Sequence, residues 1–391
     1  MCSTISVLGV GASANLDGNF PNTAESVYLN QSLPVTNIDS FLPPISSMPP
    51  YPSFALGFDP NLKLPRSYQW NVALEKSFGG RQAISATYVG QAGRDLLRQE
   101  DLYQPNVDFQ GAFELDGNDA RSNYNALQLQ YRRPLSSRVQ ALLNYTYSHS
   151  LDNASNDVIA GLSNTVISAA NDYASSDFDV RHSFSGALTF AVPSVGTSGP
   201  VALLTKGWSL DTVVVARTGF PVSPTVSAPS SLGASYIRPD RVPGQPFYLF
   251  GMQCAQVFGP ISEGGNGVLQ AGETCPGGMG LNPAAFDAAT PVAEDRQGTL
   301  GRNAIPGFGL TQVDLSIGRK FPITERLNLQ FRADAFNLFN HPNFTNPAGF
   351  LSGGPSYLLS QQTLNIGLGG LNPLFQEGGP RSLQLSLRLA F

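Results

Sequence analysis

The sequence is short of charged residues, and it has no long apolar run. Only 13% of its 391 residues are Asp, Glu, Lys or Arg, whereas about 25% is usual in soluble domains. No stretch reaches the roughly 18 apolar residues that a transmembrane helix needs. The net charge is −5 and no Lys/Arg-rich run occurs, which argues against a nucleic-acid partner. Something other than a charged surface therefore keeps this chain in solution, or the chain is not in solution.

Cysteine is also scarce, with three residues in the whole sequence. Cys254 and Cys275 lie in a Gly-rich segment, and Cys2 stands alone near the start. In an oxidising compartment Cys254 and Cys275 are candidates for a disulfide that closes the loop, worth about 3 kcal/mol. The alternative is a pair of free thiols. A metal site is not expected there, because neither cysteine belongs to a C-x-x-C pair and no His lies between them.

Glycine and proline are abundant, at 40 and 30 residues, which favours turns and strands over helices. The last eleven residues, RSLQLSLRLAF, alternate strictly, and the apolar set is Leu383, Leu385, Leu387, Leu389 and Phe391. A period of two indicates a strand with one apolar face. About ten residues suffice to cross a bilayer when tilted. A terminal aromatic residue is typical of the last strand of an outer-membrane barrel, and the edge of a soluble sandwich is the alternative.

The same alternation recurs along the chain. The predicted strands span 68–78, 81–90, 123–133, 138–149, 180–192, 206–218, 310–320, 326–337 and 381–391. Connections between them are alternately short and long, and the long ones cover 91–122, 150–179, 219–309 and 338–380. Short turns at one rim and long loops at the other are typical of outer-membrane barrels, in which the short turns are periplasmic. A soluble sandwich with Greek-key connections would not keep this parity.

The sequence therefore predicts an all-β fold, an antiparallel transmembrane β-barrel with long extracellular loops. Nine strands do not close a bacterial barrel, which uses even numbers, so we expect an incomplete barrel of about nine or ten strands. TISVLGVG is the candidate tenth strand. Residues 1–67 are predicted to be a loop-rich extracellular segment and residues 68–391 the barrel portion. Because the first residues do not resemble a signal peptide, either the protein is cytosolic or a longer polypeptide precedes Met1.

Aromatic and polar side chains fit this interpretation. Candidates for the aromatic girdles at the membrane interfaces lie toward strand ends: Tyr68, Trp70, Tyr145, Tyr147 and Trp208. Aromatic strand ends also occur in soluble sheets. The alternate, mostly polar residues of the strands include Arg332, Asp334 and Arg388, which suit a wet lumen better than a packed interior.

Other constellations give weaker signals. His149, His182 and His341 are too far apart in sequence to indicate a metal site. Ser262–Glu273 lacks the spacing of a calcium loop. Asp177 and Asp179 beside Arg181 and His182 could form a glycosidase-type carboxylate pair, and the alternative is a salt-bridged rim. We predict no enzyme activity, no cofactor and no metal.

Several phrases resemble one family. YQWNVALEKSFGGRQAISATYVGQAGRDL, FDVRHSFSGALTFAVP, TLGRNAIPGFGLTQVDLSIGRKF, LQFRADAFNLFNHPNF and GGPRSLQLSLRLAF follow the order found in Oar-like TonB-dependent receptors. The resemblance covers roughly residues 60–391. It implies an outer-membrane receptor with a plug inside a barrel of about twenty-two strands, which takes up a bulky nutrient. The nutrient would be a small molecule, glycan or peptide.

The resemblance also implies partners. These are outer-membrane lipid, the barrel assembly machinery, which is expected to recognise the terminal strand at Leu385, Leu387, Leu389 and Phe391, and the TonB complex. Contact with TonB would run through an N-terminal plug, which we expect outside this sequence. A structural or adhesive barrel without active transport is the alternative function, and a soluble secreted β protein with sugar-binding or hydrolytic loops is a third.

Overall fold

The computed structural model describes residues 4–7, 12–15, 54–79, 81–103, 108, 112–136, 138–155, 172–195, 199–228, 236–324, 327–364 and 377–391. Its main feature is one antiparallel sheet in which nine long strands pair in sequence order. The strands are β1 (Arg66–Phe78), β2 (Gln82–Tyr103), β3 (Ala112–Ser136), β4 (Val139–Asp152), β5 (His182–Ala191), β6 (Trp208–Arg217), β7 (Leu310–Pro322), β8 (Asn328–Phe336) and β9 (Ser382–Ala390). All nine predicted strands are confirmed.

Strict alternation gives this sheet two chemically different faces. The pairing places Leu385 of β9 opposite Ala333 of β8 and Leu387 opposite Phe331, so apolar side chains share one face, named here the outer face. Leu383, Leu385 and Leu387 are 76%, 73% and 68% exposed. The opposite, inner face carries the polar parity, with Arg332 paired to Ser386. The apolar face of the sheet is therefore open to its surroundings.

The connections differ between the two ends of the sheet. At one end, short connections join β1 to β2, β3 to β4 and β7 to β8, and the connection from β5 to β6 contains helix α1 (Pro200–Thr205). At the other end, long connections join β4 to β5, β6 to β7 and β8 to β9. The predicted asymmetry of short turns and long loops is confirmed for three of the four predicted long connections. Among the described strands, β1 and β9 form the two ends of the pairing path, so the sheet is not closed.

No helix in the described part of the chain is both long and apolar enough to span a membrane.

One predicted loop is wrong. Residues 91–122 are not a thirty-residue connection, because β2 continues to Tyr103 and β3 begins at Ala112. Register shifts between Gly93 and Arg98 break the period-two pattern that would have indicated a strand. The β2–β3 hairpin therefore projects beyond the rest of the sheet, and a strand at Phe54–Phe58 pairs with it in parallel.

Two long connections together form a compact unit, named here the outer cap and defined as the described residues within 219–309 and 338–364. It contains helices α2 (Gly251–Phe258) and α3 (Ala289–Ala293). Its two-stranded pairings are Pro221–Val222 with Ile305–Pro306, Val226–Ser227 with Tyr236–Ile237, Asp240–Arg241 with Phe286–Asp287, and Tyr248–Phe250 with Met279–Leu281. Single helical turns lie at Ile261–Glu263, Pro276–Gly278, Pro283–Ala285, Leu351–Gly353 and Pro355–Leu358.

The outer cap has a hydrophobic core of its own. Phe258, Leu281 and Ile305 are fully buried there, together with Cys254 and Leu359. Burial of a large apolar side chain stabilises a fold by about 1.5–3 kcal/mol. The cap is thus built like a small water-soluble domain, unlike the sheet beneath it.

Two short pieces lie apart from the main sheet or extend it locally. Thr4–Val7 is a strand within TISVLGVG, but it pairs with Ala12–Asn15 in a separate hairpin. It is therefore not a tenth strand of the main sheet in this structure. Ala174–Ser175 adds a short pairing to the end of β4. Cys2 and residues 16–53 lie outside the described residues.

Candidate functional site

The inner face carries an ionic network across three neighbouring strands. Arg332 of β8 donates from Nε to Asp334 Oδ1 at 2.7 Å, and its Nη1 lies 3.6 Å from Asp211 Oδ2 on β6. Between them, Ser316 of β7 accepts from Arg332 Nη2 at 3.0 Å. Arg388 of β9 pairs with Gln330 in the register. The Arg332 side chain is 51% exposed, so these residues line an accessible polar wall and not a packed core, and such exposed ion pairs contribute at most about 1 kcal/mol.

Amide and hydroxyl side chains continue this wall toward β3. Gln130 donates to Asn144 at 2.9 Å, and Asn144 donates to Ser185 at 3.3 Å, which links β3, β4 and β5. Thr189 of β5 donates to Asp211 at 2.7 Å. The inner face can therefore bind water or a polar solute along most of the sheet.

A buried ionic cluster joins the long connections at the other end of the molecule. Asp172, which precedes β5, accepts from Arg98 of β2 and from Arg238 of the outer cap, both at 2.8 Å. The three side chains are 4%, 0% and 8% exposed. Removing one partner of such a cluster costs about 3–5 kcal/mol, since buried charge is left uncompensated. Asp172 thus ties the β2–β3 hairpin and the cap to the connection after β4.

A second set of contacts attaches the cap nearby. Arg302 donates to Asp152 Oδ1 at 2.7 Å and to Asp177 Oδ1 at 3.0 Å. Asn303 donates to the Ser175 carbonyl oxygen at 2.7 Å. Both residues lie in the cap; Asp152 ends β4, and Asp177 and Ser175 lie in the β4–β5 connection. The cap is therefore held in one position over the long-loop end of the sheet.

The predicted carboxylate pair is divided between two structural roles. Asp179 is buried, accepts the Ser150 backbone N–H at 2.8 Å, and pairs with His149 and Arg181, each at 3.0 Å. Asp177 instead faces Arg302. A glycosidase needs one carboxylic acid and one carboxylate facing a common substrate. Here each carboxylate faces its own cation, which favours the salt-bridged rim.

The cap contains the disulfide Cys254–Cys275, with an S–S distance of 1.99 Å. It connects helix α2 to the turn at Pro276–Gly278. At the edge of the cap, Arg296 donates to both carboxylate oxygens of Asp240, at 2.9 and 2.6 Å. These hydrogen bonds lower the pKa of Asp240 to about 2. Burial raises the pKa of Tyr248 above its usual value.

The predicted girdle residues lie on the outer face. Tyr68 and Trp70 lie toward the long-loop end of β1, and Tyr145 and Tyr147 lie on β4. Trp208 begins β6 at the short-turn end, where Arg319 lies 5.0 Å above its ring. The cross-strand register puts Tyr145 level with the middle of β1, so the five residues do not form two separate levels. Their role as girdles stays a prediction.

The Trp70 ring explains the glycine opposite it. Gly90 is its cross-strand partner, and a Cβ atom at Gly90 would lie 2.2 Å from Trp70 Cε2. The indole therefore lies across the neighbouring strand, where any larger residue would push it away.

The histidines do not converge. His182 contacts the Tyr145 hydroxyl through Nδ1 at 2.8 Å and the Tyr147 ring at 5.2 Å between centroids. His149 contacts Asp179, and the His341 N–H donates to Asn337. Within the described residues, no group of three His, Cys, Asp or Glu side chains could hold a metal ion. In Ser262–Glu273, the Glu273 carboxylate accepts the Gln270 N–H, which is a turn contact.

A cleft of about 690 Å³ lies where the cap meets the start of β7. This volume falls within the range of small-molecule sites, about 300–1,000 Å³. The lining includes aromatic rings and an imidazole: Phe308, Phe344, His341, Pro276 and Thr311. The sequence did not indicate this cleft, because its residues come from two separate connections and from β7.

The chain belongs to a family of outer-membrane proteins. The family model described as "Outer membrane beta barrel domain" matches residues 4–367. The protein is therefore an outer-membrane β-barrel protein, and the open apolar face of the sheet is the face that meets lipid.

Solved structures with similarity include the outer membrane transporter YddB from Escherichia coli, at 11% identity and a TM-score of 0.45, covering 84% of this chain and 33% of that one. The FpvAI–pyocin S2 complex matches at 12% identity with a TM-score of 0.38, covering 84% of this chain and 27% of that one. The ferric enterobactin receptor PfeA from Pseudomonas aeruginosa matches at 13% identity with a TM-score of 0.36, covering 84% of this chain and 31% of that one. The chain thus spans about a third of the length of these proteins. No curated protein matches the sequence.

Proposed function

We propose that this chain forms the C-terminal barrel portion of an Oar-like TonB-dependent outer-membrane receptor that takes up a bulky nutrient. In this proposal residues 68–391 supply barrel strands and their outer loops, and residues 1–67 belong to an extracellular segment. The plug and the sequence that TonB contacts would lie in a polypeptide before Met1. The protein has no catalytic role.

The observation that carries the proposal is the ordered cap above a polar wall. A receptor needs a rigid outer surface that holds its ligand before uptake, since preorganised sites lose less entropy on binding. Asp172, Arg238 and Arg302 hold the cap in one position. Arg332 and Asp211 line the polar face along which a solute and a plug would be accommodated. The phrases shared with Oar-like receptors add support from the sequence.

The experiment uses the complete gene product, including whatever reading frame precedes Met1. Outer membranes from cells that express it would be solubilised and applied to an immobilised periplasmic domain of TonB. We expect capture of the complete product, and no capture of the 391-residue chain expressed with a heterologous signal peptide. An upstream frame without a plug, together with no capture, would contradict the proposal.

A structural or adhesive surface barrel is the second candidate, and one observation favours it. Phe250, Met252 and Ile261 of the cap are 60%, 78% and 76% exposed. Exposed apolar groups can mark an interaction site. Adhesion to a defined surface that persists without TonB, and is lost in Met252→Gln with Ile261→Gln, would favour this function.

A further inference from the structure

Three aromatic side chains form a cluster on the surface of the outer cap. The Phe350 ring contacts the Tyr236 ring, with 5.4 Å between centroids, and the Tyr357 ring, with 5.7 Å. Both tyrosine rings stand nearly perpendicular to the Phe350 ring, at 86° and 84°. Tyr236 and Tyr357 are 39% and 38% exposed, whereas Phe258 in the core of the cap is buried. We name Tyr236, Phe350 and Tyr357 the aromatic platform, because its tyrosine rings are accessible from outside.

Backbone pairing fixes the position of the platform. Tyr236 lies on the segment Tyr236–Ile237, which pairs with Val226–Ser227. Thr225, the preceding residue of that second segment, forms a parallel bridge with Phe350. Val226 and Ile237 are buried, so this small sheet rests on the interior of the cap. The rings are therefore in place before a ligand arrives, and a preorganised surface loses less entropy on binding.

A glycine permits the second ring contact. The Gly349 N–H donates to the Tyr357 carbonyl oxygen at 2.9 Å, which closes a turn that contains Phe350. Inside this turn, a Cβ atom at Gly353 would lie 2.6 Å from Phe350 Cδ1 and 2.7 Å from Tyr357 Cδ2. Carbon atoms in contact are normally about 3.5–4.0 Å apart. The two rings therefore meet only because residue 353 has no side chain.

The platform lies in a part of the sequence without charged side chains. Residues 218–237 and 335–376 contain no Asp, Glu, Lys or Arg, and these two stretches supply all three rings. The nearby polar contacts are neutral as well. The Ser227 N–H donates to Ser352 Oγ at 3.0 Å, and both serines are exposed. A charged ligand would therefore find no opposite charge in these stretches.

The two tyrosines combine apolar and polar surface. A tyrosine side chain presents an apolar ring and a hydroxyl that both donates and accepts hydrogen bonds. Ligand sites commonly join aromatic walls with a few polar groups that set orientation. The ligand that matches the platform is thus uncharged, with an apolar face and hydroxyl groups at its edge.

We propose that the aromatic platform binds a neutral glycan, and that this glycan is the nutrient of the receptor; the second part rests on the proposed function. A sugar ring is uncharged, packs a face of C–H groups on an aromatic ring, and carries hydroxyls around its edge. Tyr236 and Tyr357 supply the rings, and Ser227 and Ser352 supply hydrogen-bonding groups. A lipid chain would leave these polar groups without partners, which is unfavourable. An anionic ligand would lack a cation.

The test measures glycan binding by the complete gene product, purified from outer membranes in detergent. An array of neutral oligosaccharides identifies the tightest ligand, and titration calorimetry gives its Kd. In Tyr236→Ala with Tyr357→Ala we expect this Kd to rise at least about tenfold, which corresponds to about 1.4 kcal/mol. Absence of binding to every neutral oligosaccharide, or equal affinity of the variant and the protein without substitutions, would overturn the proposal.

The matched control removes two other exposed apolar side chains of the cap, through Phe250→Ala with Ile261→Ala. We expect its Kd for the same glycan to stay within about twofold of the protein without substitutions. A loss equal to that of the platform variant would reduce the effect to apolar surface in general and overturn the proposal. If the platform variant does not fold, as judged by circular dichroism, Tyr357→Ala alone should still bind more weakly, and unchanged binding would overturn the proposal.

Two conservative changes test whether the rings themselves carry the binding. Tyr236→Phe with Tyr357→Phe keeps both rings, so its Kd should rise less than that of the Ala variant. Gly353→Ala should weaken binding by separating two rings, whereas Gly301→Ala should not, because its Cβ would meet only Ala304 at 3.8 Å. Equal losses in the Phe and Ala variants, or equal binding by the two glycine variants, would contradict stacking on the platform.

Two further arms separate the ligand class from the proposed function. An anionic hexasaccharide of galacturonic acid should bind at least about tenfold more weakly than the neutral ligand, and equal binding would overturn the assignment to a neutral glycan. Capture by the periplasmic domain of TonB is scored independently. Glycan binding without capture would support the platform and contradict uptake, whereas capture without glycan binding would overturn the platform and leave the receptor function.

Discussion

The sheet and the outer cap of this protein are built on opposite principles. On the sheet, Leu385 and Leu387 are exposed on one face and Arg332 lies on the opposite, polar face. In the cap, Phe258 and Ile305 are fully buried. The same apolar side chains therefore face outward in one region and inward in the other. This difference shows that the sheet is made for a lipid solvent and the cap for water.

The largest effect is expected where the two regions are joined. Asp172→Ala leaves Arg98 and Arg238 without their shared carboxylate, so the attachment of the cap should weaken by about 3–5 kcal/mol. Hydrogen exchange should rise in the cap and the β2–β3 hairpin but not in β7–β9. Asp177→Ala is the control, because its side chain is half exposed and its loss should cost less than about 1 kcal/mol. Equal effects of the two variants would contradict the role of Asp172.

A charge on the outer face should be the next most costly change. Leu385→Arg places a cation in lipid at the middle of β9, which costs up to about 4 kcal/mol. Gln384→Arg adds the same charge one residue away on the inner face, opposite Asp334, and should be tolerated. Refolding into lipid vesicles under increasing urea measures both. The comparison between the faces fails if Gln384→Arg is as destabilising as Leu385→Arg.

The cap should also depend on its disulfide. Replacing Cys254 and Cys275 by Ala should destabilise the cap by about 3 kcal/mol through loss of the loop closure. Limited proteolysis should then cut within the cap while the sheet stays intact. After reduction of its disulfide, the protein without substitutions should be cleaved in the cap as this variant is. Cap cleavage at the same rate with and without reductant would contradict the prediction.

A smaller effect is expected from pH. The pKa of Asp240 is lowered from 3.8 to about 2 by Arg296. Its contribution to stability is therefore fully present above about pH 4 and is lost as pH falls toward 2. Asp240→Asn should remove this pH dependence of cap unfolding, measured by denaturant titration. Stability that falls in the same way in Asp240→Asn would assign the effect to other carboxylates.

The strands were predictable because a single physical rule governs them. One face of β9 must meet lipid at Leu383, Leu385 and Leu387, and that requirement imprints a period of two on the sequence. The same rule revealed the polar wall at Arg332 and Asp334. Beyond Gly93 the register shifts interrupt this alternation. The extension of β2 to Tyr103 is therefore predicted wrongly as a loop.

The cap was not predictable from a local pattern. Its paired segments are short, and their partners lie far apart in sequence, as with Pro221–Val222 and Ile305–Pro306. The disulfide candidates were visible as two cysteines in one Gly-rich segment. The cluster around Asp172 was not visible, since Arg98 and Arg238 are distant in sequence and isolated charges carry no spacing signal.

The most direct test of the two-faced sheet is a cysteine scan of β9. Residues 383–387 would be changed one at a time to Cys in a Cys2→Ser background, labelled with a fluorophore, and reconstituted in lipid vesicles. We predict that a lipid-soluble quencher acts at 383, 385 and 387, and that a water-soluble quencher acts at 384 and 386. Quenching without alternation, or with the two sets reversed, would contradict the assignment of the apolar face to lipid.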